Sequence, residues 1–152
     1  LPQPGSAKLI IKKNKKMGRV FFDTRKNVQD QDGAYTILSS DSGKTFMLSS
    51  SGGACEITLP VAANLEEGSF YKFIVKEDTP TGVITIAAGS AILDGVQKDA
   101  GGDAANSSAG TAVSNLVIGT ATKQGDSIDI FTDGTTYYFE CLSSTNNSIT
   151  TS

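Results

Sequence analysis

The strongest hairpin signal in the sequence lies in residues 125–142, which read GDSIDIFTDGTTYYFECL. Apolar and polar residues alternate before the pair formed by Asp133 and Gly134, and they alternate again after it. A period of two is typical of strands with one buried face, and Asp-Gly between two such runs is a strong hairpin signal. A type I′ turn is predicted, since that turn needs positive φ at both central positions. The register between the two strands stays open.

Similar short apolar runs, separated by turn residues, recur through the rest of the chain. Cys55, Ile57 and Leu59 are predicted to face one side of a strand, with Glu56 and Thr58 on the other. Eight strands are predicted at residues 35–38, 45–48, 55–59, 70–76, 83–87, 116–118, 127–131 and 136–142. Eight strands in a chain of this length suffice for one domain. The predicted fold is therefore all-β, a single antiparallel β-sandwich or barrel of jelly-roll-like form over residues 27–152.

Residues 88–112 differ from the rest because glycine, alanine and serine dominate there. Their one strong apolar cluster is Ala91, Ile92 and Leu93. Long connections of this kind are usually functional or disordered. We expect a long excursion that contacts a partner or a symmetry mate, or else a mobile surface loop without a contact.

The net charge of -3 hides a strong division along the chain. Residues 1–26 carry eight basic residues and one acidic residue, a charge of +7, whereas residues 27–152 carry five basic and fifteen acidic residues, a charge of -10. Such a division predicts an extended basic N-terminal arm on an acidic body, each with its own electrostatic role.

Apolar patches interrupt the charge of this arm, so it could lie on an acidic surface and add a short strand to an exposed sheet edge. The candidate binding residues are Lys8, Leu9, Ile10, Ile11, Lys12, Lys13, Lys15, Lys16, Arg19, Val20, Phe21, Phe22, Arg25 and Lys26. An alternative of nearly equal weight is that residues 8–22 form a β-hairpin of the domain itself. Nucleic-acid binding is less favoured, because the acidic body would repel a polyanion.

Catalytic chemistry has little support in the composition. The chain contains no histidine, the usual general base at neutral pH and the commonest metal ligand. Asp126, Asp129 and Asp133 do not have the spacing of a calcium loop and are interpreted as separate turn carboxylates. Cys55 and Cys141 are interpreted as buried free thiols in preference to a disulfide. We expect no enzyme activity, no metal and no cofactor.

Several of the predicted strands resemble a β-module of tailed-phage virion proteins. The resemblance covers roughly residues 35–142 and rests on YTIL at 35–38, DSGKTF at 41–46, ITLP at 57–60, FYKFIV at 70–75, ITI at 84–86, and GDSIDI at 125–130 leading through DGT at 133–135 to YY at 137–138. Modules of this style often carry a tryptophan near the last tyrosine pair, where this chain has Tyr137. They occur in capsid decoration proteins, head fibres and tail fibres.

The resemblance implies a virion structural protein in a trimeric state, and it assigns no catalytic residues to this chain. Combined with the arm, it predicts a decoration protein on the capsid exterior that binds the major capsid protein, forms a homotrimer and stabilises the head. Neither nucleic acid nor a membrane is an expected partner. The alternative is a head-fibre or tail-fibre module for a host receptor or glycan, and a polysaccharide-cleaving enzyme has least support.

Overall fold

The computed structural model describes residues 27–61, 66–89, 92–100 and 108–152. This part of the chain is all-β, with one 3-10 turn at Ser39–Asp41. The strands are β1 (Asn27–Asp32), β2 (Tyr35–Thr36), β3 (Lys44–Ser49), β4 (Cys55–Thr58), β5 (Phe70–Val75), β6 (Ile84–Ala87), β7 (Ile92–Asp99), β8 (Ser108–Val113), β9 (Asn115–Ile118), β10 (Ser127–Thr132), β11 (Thr136–Ser143) and β12 (Ile149–Thr151). All eight strands predicted from the sequence are confirmed.

The strands form two sheets that pack face to face. The large sheet has the order β1-β3-β5-β10-β11-β7-β8, and the small sheet has the order β12-β9-β6-β4-β2. Side chains from both sheets contribute to one buried core, in which the Phe46 and Phe73 rings stack with centroids 5.5 Å apart. The prediction of an all-β sandwich is confirmed.

The strand pairing is mixed, so the prediction of a wholly antiparallel sandwich is wrong. Five pairs are parallel, namely β1 with β3, β3 with β5, β7 with β11, β2 with β4, and β4 with β6. The reason is that strands β1 to β7 alternate between the two sheets along the chain. A chain that crosses to the other sheet and then returns runs in its original direction. The turn at Asp41, Ser42 and Gly43 therefore connects two sheets and does not form a hairpin.

The hairpin of β10 and β11 is confirmed, but its turn differs from the predicted type I′. Ile130 pairs with Phe139 and Thr132 with Tyr137, which places Gly134 and Thr135 at the centre of the turn. Gly134 has a φ of 93°, whereas Thr135 is not among the described non-glycine residues with positive φ. Positive φ at the first central position alone is typical of a type II′ turn.

The expectation of a long excursion at residues 88–112 is wrong for the part that the structure describes. Strand β7 lies within the large sheet, between β11 and β8. Its inward side chains are Leu93 and Gln97, with Gly95 between them. A Cβ on Gly95 would lie 2.0 Å from the carbonyl oxygen of Phe139, so only glycine permits this approach to β11. The inward positions are thus not uniformly apolar, and the alternation that marks the other strands is missing.

Candidate protein-contact face

The basic arm predicted from the sequence lies outside the described residues. This holds for every candidate binding residue from Lys8 to Lys26, and for the choice between an extended arm and a hairpin at residues 8–22. The first described strand, β1, begins at Asn27 and forms one edge of the large sheet. The division of charge along the sequence therefore coincides with the start of the described sandwich.

The outer face of the large sheet, defined as the outward side chains of β1, β3, β5, β10, β11 and β7, carries most of the exposed large hydrophobic residues in the described part of the chain. The described residues include eight exposed large hydrophobic side chains, and six of them lie on this face. The six are Val28, Phe70, Ile92, Val96, Phe131 and Leu142. Soluble monomers rarely expose contiguous apolar patches of more than a few hundred Å² unless the patch has a function. This face is therefore the main candidate for a contact surface.

An aromatic row crosses three adjacent strands of this face. Phe70 of β5 is the cross-strand partner of Phe131 of β10, which in turn pairs with Tyr138 of β11. The Phe131 and Tyr138 rings stack with centroids 5.2 Å apart and an interplanar angle of 24°. Phe70 and Phe131 nevertheless keep 55% and 53% of their surface exposed. The row forms a strip of apolar surface that stays in contact with solvent.

Three ion pairs flank the aromatic row on the same face. The Lys72 ammonium lies 2.8 Å from the Asp129 carboxylate, and the Lys98 ammonium lies 2.6 Å from the Glu140 carboxylate. The Lys98 hydrogen bond lowers the pKa of Glu140 below its usual range. A third pair joins Lys76 to Asp30 at 3.0 Å. Exposed pairs of this kind add little to stability, but they compensate three of the five carboxylates on the face.

The remaining two carboxylates of the face accept backbone hydrogen bonds. Asp94 accepts the N–H of Ala112 at 2.6 Å, and Asp32 accepts the N–H of Ser51 at 2.9 Å. The outer face of the large sheet thus combines exposed apolar groups with charges that already have partners within the chain.

The outer face of the small sheet is different in character. Its outward side chains are mostly short and polar, and they include Thr36, Glu56, Thr58, Thr85 and Thr150, together with Val117. Such a surface has no need to be covered by another molecule. The two outer faces of the sandwich are therefore chemically unequal.

Each of the three carboxylates considered as turn residues has its own structural partners. Asp126 is buried and accepts the N–H groups of Lys123 and Ser144 at 2.9 and 2.8 Å. Asp133 accepts the N–H groups of Thr135 and Thr136, and these bonds lower its pKa. The third, Asp129, is the ion-pair partner of Lys72 described above. Within the described ranges, no three His, Cys, Asp or Glu side chains are arranged to hold a metal ion.

A buried polar cluster at Asp41 was not predicted from the sequence. Burial alone would raise the pKa of this carboxyl, but its hydrogen bonds to Lys44 Nζ at 2.6 Å, to the Leu38 N–H at 2.9 Å and to Tyr35 Oη at 3.2 Å hold the pKa below its usual range. These bonds fix the 3-10 turn against β3.

Nearby, the buried Tyr71 hydroxyl lacks a hydrogen-bond partner among the described residues.

Both cysteines are free thiols, as the sequence interpretation expected. Cys141 is fully buried, and burial raises its pKa to about 12. Cys55 is half-buried, and burial raises its pKa as well. Thiols of this kind behave as small hydrophobic groups and are poor nucleophiles at neutral pH.

The exposed apolar residues of the contact face were missed because strand prediction concentrates on the alternate residues that face the core. Phe70 and Ile74 occupy the outward phase of β5, and Phe131 that of β10. Apolar residues on both phases of a strand were a signal already present in the sequence, since a strand with one wet face needs only one apolar phase.

No helix in the described ranges has the length and apolar character needed to cross a membrane. Comparison with known proteins adds no relative: no protein-family model matches the chain, and no curated protein matches it significantly.

Proposed function

We propose that this chain is a structural subunit of a phage virion that decorates the outside of the capsid and stabilises the head. The basic arm of residues 1–26 binds the major capsid protein, and the sandwich stays on the capsid exterior as part of a homotrimer. The subunit needs no cofactor, and it binds neither nucleic acid nor a membrane.

The observation that carries this proposal is the division of charge at the start of the sandwich. The +7 segment ends where the edge strand β1 begins, and the body that follows carries -10. Opposite charges on two parts of one chain suit two separate roles, attachment through the arm and display of the body. Three arms in one trimer would bind with avidity beyond that of any single arm.

The all-β body supports a binding role more than catalysis. Its carboxylates Asp41, Asp126 and Asp133 are occupied by hydrogen bonds that hold turns. The chain has no histidine, and burial raises the pKa of both thiols, so the usual nucleophiles and bases lack activation. We therefore propose that the protein is not an enzyme. Assays for hydrolysis of host polysaccharides by the purified chain should show no turnover above buffer.

The attachment role is tested by mixing the purified full-length chain with capsid shells that lack it and measuring co-sedimentation at low and high salt. A variant with glutamine at Lys12, Lys13, Lys15 and Lys16 should lose most binding, and the wild type should bind more weakly at high salt. Single variants K13Q and K123Q form a matched control, because Lys123 is an exposed lysine of the body. Full binding by the four-lysine variant would exclude the arm as the attachment element.

A fibre module that binds a host glycan is the second candidate, because exposed aromatic rings are common in sugar-binding sites. The row of Phe70, Phe131 and Tyr138 is the observation that favours it. Glycan arrays and binding to intact host cells separate the two proposals. Specific glycan binding that is lost in an F131S variant, without any binding to capsid shells, would favour the fibre module.

A further inference from the structure

The outer face of the large sheet has features of a surface that another protein covers. We infer that copies of this chain pack against one another through this face, with Phe131 near the centre of the contact. This inference rests on the proposed homotrimer and identifies the surface through which its subunits meet.

The charges of the face favour a second copy of the chain over a strongly charged partner. Three of its five carboxylates are ion-paired, with Lys72, Lys76 and Lys98. The other two, Asp32 and Asp94, lie on β1 and β7, the outermost strands of the face, and accept backbone N–H groups. The centre of the face around Phe131 therefore offers no block of unpaired charge to a basic or acidic protein, and a second copy can cover it without burying an unpaired charge.

The geometry of the aromatic row favours protein side chains over a sugar. Stacking on a sugar ring requires an open aromatic face. Phe131 and Tyr138 instead stack on each other across neighbouring strands, so each covers part of one face of its neighbour. The exposed edges of such paired rings suit contact with aliphatic or aromatic side chains from another subunit.

The size of the face is consistent with an oligomer contact. Six strands spaced about 4.8 Å apart span about 24 Å, and six residues at about 3.3 Å each give a length of about 20 Å. The flat area is thus about 500 Å², and the accessible area of a corrugated surface is larger than its projection. Standard protein interfaces take about 800 Å² from each partner. The small sheet offers no comparable apolar area on its outer face.

The test uses the full-length chain, with mass measured by light scattering and sedimentation over a range of concentrations. Variant F131K places a charge in the aromatic row, and L38K is the matched control. Both parent side chains are large, apolar and about equally exposed, 53% for Phe131 and 57% for Leu38, but Leu38 lies outside the face. F131K should weaken association by about 30-fold or more, as expected for an interface hot spot, whereas L38K should match the wild type.

A second variant, L142S, removes an aliphatic side chain from the same face without adding charge, and it should weaken association in the same direction. Circular dichroism and thermal unfolding check that each variant is folded. The inference is overturned if the wild type is monomeric, if folded F131K and L142S keep the wild-type mass, or if L38K dissociates as well. Dissociation caused only by the four-lysine arm variant would also overturn it, because the arm would then be the assembly element.

The same proteins tested on capsid shells separate this inference from the proposed function. Chains that assemble through the face but never bind shells leave the inference standing and contradict the decoration role. If the chain binds shells but F131K remains fully oligomeric, the decoration role stands and the inference about the face is contradicted.

Discussion

Tyr71 and Tyr137 are both buried in the core, yet their hydroxyl groups are in opposite situations. Tyr137 Oη donates a hydrogen bond to the Pro60 carbonyl at 2.5 Å, whereas Tyr71 Oη lacks a partner among the described residues. Removing the Tyr137 hydroxyl breaks that bond and leaves a buried carbonyl unpaired, at a cost of about 1 to 3 kcal/mol. Removing the Tyr71 hydroxyl relieves the cost of burying an unpaired polar group, so Tyr71→Phe should raise the free energy of unfolding by about 1 kcal/mol.

Urea denaturation followed by circular dichroism measures this difference. With a slope of about 2 kcal/mol per molar urea, the two variants should differ in midpoint by about 1 M or more, with Tyr137→Phe the less stable. Both substitutions delete a single oxygen atom from a buried tyrosine, so each serves as the control for the other. Equal destabilisation by both variants, or a loss of more than about 1 kcal/mol in Tyr71→Phe, would show that the Tyr71 hydroxyl is not an unpaired buried group.

Three other sites give measurable expectations. Gly95→Ala should destabilise the protein by about 3 kcal/mol in the same urea assay, because the added Cβ would lie 2.0 Å from a backbone oxygen of β11, whereas Gly52→Ala has open space and should be nearly neutral. The pKa of Asp41 is lowered on folding, so its contribution to stability is present above about pH 4 and is lost as the pH falls. Asp41→Asn should therefore flatten the loss of stability below about pH 4 in the same urea assay. A thiol reagent at neutral pH should modify Cys55 slowly and Cys141 only after unfolding, as counted by absorbance.

The local elements of this fold could be predicted from the sequence, but their partners could not. Period-two alternation and turn residues located eight strands, because each strand buries one face against a core. The same signals do not distinguish a hairpin from a crossing between sheets, since both need glycine and aspartate at the bend. The turn at Asp41 to Gly43 leads from one sheet to the other, and parallel pairing is the result.

The strands that were missed lack the signal on which strand prediction depends. The inward side of β7 carries Leu93, Gly95 and Gln97, where steric fit against Phe139 matters more than hydrophobicity. The edge strand β1 reads NVQDQD, and tertiary pairing with β3 gives it a strand conformation that its composition does not favour.

The candidate binding surfaces were predictable to different degrees. Charge counting identified the arm of residues 1–26, and that prediction remains untested because the arm lies outside the described residues. The outer face of the large sheet depends on register, since Phe131 meets Phe70 and Tyr138 only when three strands are aligned. The sequence left that register open, so the aromatic row emerged from the structure.

We propose that this protein decorates the outside of a phage capsid. A low-resolution reconstruction of particles carrying the protein, compared with particles lacking it, tests this location. We expect extra trimeric density on the outer surface of the head. Density confined to the tail, or no difference on the head, would contradict it.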